Sequence, residues 1–216
     1  MQHAGKRKTL LLSGTLTVLL LSTGCSALAT AMWVTGAYKN QAEFPIEKEK
    51  KVAVVARPMV SLTYRDAHVD TDLARRVRAI LARELPKVHL IEQQKVERWL
   101  DENSWENYTD VGKALGADYV IGIDIEEFGL YKGQTVYQGT ASLFVQAYDC
   151  ATGNRVYEKR LSHIQYPPNS VVPTSEVLEP DFRREFVTVL SEFAARPFHA
   201  WDPNEDVALD ARSLKP

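Results

Sequence analysis

The chain has 216 residues, 45% of them hydrophobic and 25% charged, with 26 Lys+Arg against 28 Asp+Glu and two cysteines. These proportions exclude a disordered, collagen-like or disulfide-framework protein and fit one globular domain. Residues 1–24 hold Lys6, Arg7 and Lys8 and no acid, so beyond them 23 bases (26 less 3) face 28 acids, an acidic balance that argues against nucleic acid as a partner.

Lys6-Arg7-Lys8 forms a basic n-region, and Thr9 to Leu21 is an uncharged apolar run with the length of a signal-peptide h-region rather than a membrane span. Leu21-Ser22-Thr23-Gly24-Cys25 follows. It resembles a bacterial lipobox, which implies cleavage between Gly24 and Cys25 and a diacylglyceryl group on the Cys25 thiol. The leucine usual three residues before the cysteine is displaced to Leu21, and Ser22 takes its place. The alternative is an uncleaved anchor, because apolar character resumes at Ala27-Leu28-Ala29 and Ala31-Met32-Trp33-Val34. Acyl chains would hold Cys25 in a membrane at ~0.8 kcal/mol per buried methylene. Ser26, rather than aspartate, after the cysteine favours the outer membrane by resemblance to Gram-negative sorting rules. With Cys25 acylated, Cys150 has no intrachain disulfide partner.

Residues 25–51 read as the lipidated cysteine and a flexible tether, residues 52–196 as an α/β domain and residues 197–216 as a C-terminal tail. Val52 to Ala56 is a short apolar run that suits a strand buried on both faces. Asp70 or Thr71 can cap a helix in which Leu73, Val77, Ile80, Leu81 and Leu85 recur at helical spacing, ended by Pro86. Arg75, Arg76, Arg78 and Arg83 lie off that stripe and read as a solvated face. A strand over Val88–Ile91 and helices over Gln93–Asp101 and Thr109–Leu115 come next, with Gly116 as the helix-ending residue. In a strand over Tyr119–Phe128, Ile121, Ile123 and Ile125 share a buried face, while Gly122, Asp124 and Glu126 share a face expected to be wet. Gln134–Tyr148 and Arg155–Tyr166 form a hairpin about Asp149–Asn154. A last helix over Asp181–Ala195 aligns Phe182, Phe186, Val189, Leu190 and Phe193. The sum is a single layered α/β domain, with a mixed sheet of about five strands and helices packed on it.

The sequence holds no phosphate loop, no G-x-G-x-x-G, no G-x-S-x-G and no C-x-x-C, and its histidines show no paired spacing, so it offers no cofactor, no metal site and no catalytic residue by motif. Asp124, Glu126 and Glu127 are the best acid/base candidates. Asp124 with Glu126 could form a hydrolytic pair, although alternation places acids on a solvated face as a matter of course. Phe144, Tyr131 and Tyr137 are candidate exposed anchors for a partner.

Gly112-Lys113-Ala114-Leu115-Gly116-Ala117-Asp118-Tyr119-Val120-Ile121-Gly122 resembles the helix-to-strand segment of periplasmic lipoprotein domains of the CsgG, LpoB and TolB N-terminal kind. The opening strand, the Val88 to Glu92 phrase and the Tyr148-Asp149 to Thr152-Gly153 turn extend the resemblance over roughly residues 52–166. It implies a non-catalytic domain that binds another envelope protein, lipid-anchored through Cys25 and facing the periplasm. A homo-oligomer is left open. The rival expectations are a subunit of a CsgG-like export channel and an envelope hydrolase. Against the channel, Thr135 to Ala147 comes close to a lipid-facing strand, but its partner carries Arg155, Lys159 and His163 on one face and Glu158 and Arg160 on the other, so the hairpin cannot face lipid on both strands.

Overall fold

The structure, a computed structural model, describes residues 30, 38–59, 66, 68–206 and 209. The signal-peptide residues Lys6, Arg7 and Lys8, Gly24 and Cys25 lie outside the described residues. The chain divides into two units, 1–40 and 41–216, and the second holds the fold.

That fold runs β1 (Lys51–Pro58), α1 (Val69–Glu84), β2 (His89–Leu90), α2 (Gln93–Glu102), α3 (Tyr108–Leu115), β3 (Tyr119–Tyr131), β4 (Val136–Asp149), β5 (Arg155–Tyr166), β6 (Val172–Pro173) and α4 (Glu179–Ala195). The sheet order is β2-β1-β3-β4-β5, with β6 paired to β4. β1 runs parallel to β2 and β3, whereas β3, β4 and β5 form an antiparallel meander with β6 added to β4. The expected α/β layer is therefore present, with α1 and α4 on one face and α2 and α3 on the other.

Period-two patterning sets the larger core. Val52, Val54, Ile121, Ile123, Ile125, Leu143 and Val145 all point to the α1/α4 side and are essentially inaccessible. Leu73, Val77 and Leu81 of α1 and Phe182, Phe186, Val189 and Leu190 of α4 close over them. The four arginines of α1 are less idle than a solvated face. Arg75 reaches Glu97 of α2 at 3.0 and 3.2 Å, Arg76 donates to Thr188 of α4 at 2.9 Å, and Arg78 donates to the Ile91 carbonyl at 2.9 Å. Only Arg83 stays local, bonded to Glu84. Neither Asp70 nor Thr71 caps α1, which starts after His68 with both residues already inside its first turn.

The second face corrects the expectation of a wet surface opposite the isoleucines. Ala53, Val55 and Val120 pack with Val96, Val111 and Leu115 into a smaller core, and Tyr108 lies over Gly122. A Cβ at Gly122 would meet the Tyr108 ring at 2.6 to 2.7 Å, so a residue that reads as a gap in the strand is the seat of an aromatic ring. The sequence alternation shows that the strand has two faces; it does not show that a second helical layer covers part of the polar one.

The packed unit also extends past the strands and helices at both ends. Phe44 donates its backbone N–H to the Pro197 carbonyl at 2.9 Å and inserts its ring among Tyr119, Tyr157 and Phe198. Ile46 and Leu209 are buried as well.

Candidate functional site

Arg57 sits at the end of β1, directly beside Asp124 of β3 in the parallel register. Asp124 is 7% exposed. One carboxylate oxygen accepts from Arg57 Nε at 2.7 Å and from the Tyr108 hydroxyl at 2.7 Å; the other accepts from Gln146 Nε2 at 2.8 Å. Gln146 relays the chain outward, its carbonyl oxygen accepting from the Tyr148 hydroxyl at 2.7 Å and from Arg155 at 3.1 Å. The guanidinium of Arg57 lies against the Tyr108 and Trp105 rings, 4.7 and 5.5 Å from their centroids, and donates to the Glu106 carbonyl at 3.2 Å. Burial first, and then the bond to Asp124, drive the Tyr108 hydroxyl pKa far up, so the phenol remains a donor. Burial is the largest single influence on Arg57 and works against its charge, but the bond to Asp124 and the attractions of Asp124 and Tyr108 together outweigh it, and the guanidinium is held more firmly charged than usual.

Glu126, two residues along the same face, pairs with Arg160 of β5 at 2.8 Å. Glu127 accepts from the Ser142 hydroxyl at 2.7 Å. The structure therefore brings Asp124 and Glu126 onto one face and gives each its own arginine. Three donors hold Asp124, two on one oxygen and one on the other, whereas a general base needs a free lone pair aimed at a substrate proton. The cluster reads chemically as a polar strut that fastens α3 and β1 to the meander.

Of the proposed aromatic anchors, Tyr131 is exposed, with its hydroxyl bonded to Glu179 and its pKa raised by that bond. Phe144 is half-buried, flanked by the guanidinium groups of Arg155 and Arg160 at 5.6 and 5.0 Å. Tyr137 is buried, stacked on Phe182 with centroids 4.8 Å apart. It is core, because β6 and α4 close over that end of β4.

Cys150 is a buried free thiol, its Sγ placed where Gly112 leaves room. Desolvation pushes its pKa up to about 11, which makes it an inert packing group. His89 bonds exposed Glu49 at 2.9 Å, and His163 occupies a bulge in β5 with φ +56°. Among the described residues no group of His, Cys, Asp and Glu is placed to hold a metal ion, and no helix is long and apolar enough to cross a membrane. A cavity of about 260 Å³ opens where the N-terminal turns of α1 and α4 meet. The arginines lining it are engaged: Arg76 with Thr188, Arg183 with Asp66 at 3.7 Å and Arg184 with Asp181 at 2.6 Å.

Two features of the surface were not visible in the sequence. The first is a clamp across the sheet margin, in which Glu43 accepts from the Tyr157 hydroxyl at 2.8 Å and pairs with Lys159. The bond from Lys159 holds the Glu43 carboxyl below its usual range, and burial opposes it. The second is the margin itself. Among the described residues β5 pairs only with β4, leaving its outer edge open. Both depend on which strand ends the sheet, and strand order is not a local property of sequence.

The segment that carries the family resemblance has structural work at each marked position. Gly116 caps α3 in the left-handed region at φ +67°, Gly112 makes room for Cys150 and Val120, and the Asp118 carboxylate accepts the Lys51 backbone N–H at 2.8 Å. No family model matches the chain, and no curated protein matches it. Among solved structures it is similar to the lipoprotein GNA1162 from Neisseria meningitidis, at 13% identity over 67% of this chain and 98% of that one, with a TM-score of 0.43. It is also similar to the PelC dodecamer from Paraburkholderia phytofirmans, at 12% identity over 75% and 94% with a TM-score of 0.43. The C-terminal domain of LpoB from Salmonella enterica is similar at 16% identity over 55% and 84%, with a TM-score of 0.37.

Proposed function

We propose that this chain is a non-catalytic lipoprotein of the bacterial cell envelope, anchored by acylated Cys25 and presenting its α/β domain to another envelope protein. The observation that carries the anchor is the order of a basic n-region, an apolar run of signal-peptide length and the lipobox-like Ser22-Thr23-Gly24-Cys25. The observation that favours binding over catalysis is the state of the best acidic pair: Asp124 and Glu126 are each paired with an arginine, and Asp124 accepts from two further side chains. Ser26 after the cysteine supports the outer membrane, and the family resemblance supports its periplasmic face. The stretch from Ser26 to the first packed residues of the domain sets its reach.

The test is native mass spectrometry of the protein extracted from its own membranes in mild detergent. The expected species begins at Cys25, carries the acylglyceryl mass and retains a different protein. A chain keeping Met1 without lipid overturns the anchor. A lipidated ring of identical subunits with membrane conductance replaces the accessory reading by the export channel.

A further inference from the structure

We infer that the open edge of β5 pairs antiparallel with β5 of a second copy of this chain, about a two-fold axis at Lys159. An edge strand presents a row of unpaired N–H and C=O groups that any extended backbone can complete, so what matters is which partner its side chains admit. The opposite edge of the sheet is two residues long, His89–Leu90, and offers no such template. On β5 the regular run extends from Tyr157 to Leu161, between an irregularity at Val156, which has no partner on β4, and the bulge where Ser162 and His163 face Ser142 alone. His163 takes φ +56° there and donates its backbone N–H to the Ser142 hydroxyl at 3.2 Å, which ends the straight part of the edge.

The charges along this run would reject most strands, and they select one register with its own copy. A two-fold axis through an antiparallel pair must pass at a residue, because residues opposite one another share a face. Centred on Lys159, Glu158 faces the partner's Arg160 and Arg160 the partner's Glu158, while Tyr157 faces the partner's Leu161 on the other side of the sheet. Centred on Glu158, that carboxylate faces itself and Tyr157 faces Lys159. Centred on Arg160, the guanidinium faces itself and Glu158 faces Ser162. Only the first register sets opposite charges together and aromatic against aliphatic, the pairings that stabilise a cross-strand contact. Within one copy Glu158 already pairs with Arg155 at 2.6 Å and Arg160 with Glu126 at 2.8 Å, and the Glu158 and Arg160 side chains are both more than half exposed, so the contact shares these charges rather than supplying their first partners. The one like-charge meeting in this register, Lys159 with its symmetry mate, is relieved within each copy because Glu43 already pairs with Lys159. Val156, an exposed large apolar side chain, flanks this run.

The test uses the full-length protein in dodecyl maltoside. Sedimentation velocity is expected to give a dimer. Glu158→Arg sets two guanidinium groups opposite two others and weakens the dimer about tenfold or more, and Arg160→Glu does the same with carboxylates. The double variant Glu158→Arg with Arg160→Glu regains the dimer. Lys159→Cys is expected to form an interchain disulfide on mild oxidation, since directly opposed residues lie within bridging distance. Glu158→Cys and Arg160→Cys do not, because each then meets its own copy only diagonally, about 7–8 Å away. Thermal melts followed by circular dichroism confirm that the variants fold, and the cysteine series reads the register without charge reversal. A monomer with no Lys159→Cys cross-link, cross-linking equal at all three positions, or a cross-link to a different protein overturns the inference.

Discussion

Replacing Asp124 by alanine removes the acceptor of three donors at once: the Arg57 guanidinium, the Tyr108 hydroxyl and the Gln146 amide. Breaking a buried charge pair from one side costs about 3–5 kcal/mol, because the surviving charge and donors lose their partners without regaining water. The Arg57 side chain is 34% exposed, which places the loss near the lower end, about 3 kcal/mol. For a domain of this size that corresponds to a fall in Tm of about 6–12 °C. Denaturant unfolding of the full-length protein, followed by far-UV circular dichroism, measures it. A companion variant sharpens the reasoning. Tyr108→Phe costs about 1 kcal/mol in the wild type, where the hydroxyl is bonded, and is neutral or stabilising in the Asp124→Ala background, where the hydroxyl is a stranded donor. The strut reading is refuted if Asp124→Ala unfolds within 0.5 kcal/mol of the wild type, or if Tyr108→Phe costs the same in both backgrounds.

Gly139→Ala sets a methyl 2.6–2.8 Å from the ring atoms of Phe186, which is wholly buried and stacked beside Phe128 and Tyr166. It is expected to destabilise by about 1–3 kcal/mol in the same unfolding assay, with Phe186→Leu recovering part of the loss; a neutral Gly139→Ala would count against the packing described. Cys150, with its thiol pushed from 9.0 up to about 11, is expected to react with iodoacetamide at pH 8 roughly a hundredfold more slowly in the folded protein than after unfolding in guanidinium. The sign of its stability effect follows. The folded state keeps the proton that the unfolded chain gives up, so the contribution is intact below pH 9 and is lost as pH rises towards 11. Equal alkylation rates, read by intact mass, would contradict both statements.

Much of the fold was legible because its elements follow local rules. The stripe from Phe182 to Leu190 can only be a helix with one buried face, and Asp149–Asn154 carries its own turn chemistry, with Asp149 accepting the Thr152 N–H at 2.8 Å and Gly153 at φ +76°. Observed boundaries differ from the expected ones where pairing extends a strand beyond its apolar core: β3 runs on from Phe128 to Tyr131 because the hairpin with β4 continues there, through a register shift, to Tyr137. The site was less legible, and the reason is specific. Arg57 ends one strand and Asp124 lies in another, 67 positions later, and only the parallel register of β1 and β3 sets them side by side. A carboxylate at an alternating position reads as solvated until Tyr108, carried in on α3, is seen to cover it.

The same non-local logic joins the chain's entry into the domain to its open edge. Glu43 stands ahead of the first strand, on the stretch that leads back towards Cys25, yet its carboxylate is held by Tyr157 and Lys159 of the last long strand. Phe44 next to it fills a socket made by Tyr119, Tyr157 and Phe198, so the chain enters the domain beside β5 rather than at a free end. A lysine at the middle of an exposed edge ordinarily keeps other strands away. Here its charge is answered by a residue from the entering segment, and the edge is open to pairing only while that segment is seated. Unseating that segment would expose the bare Lys159 charge, so the seating of Glu43 and the pairing of the edge are coupled.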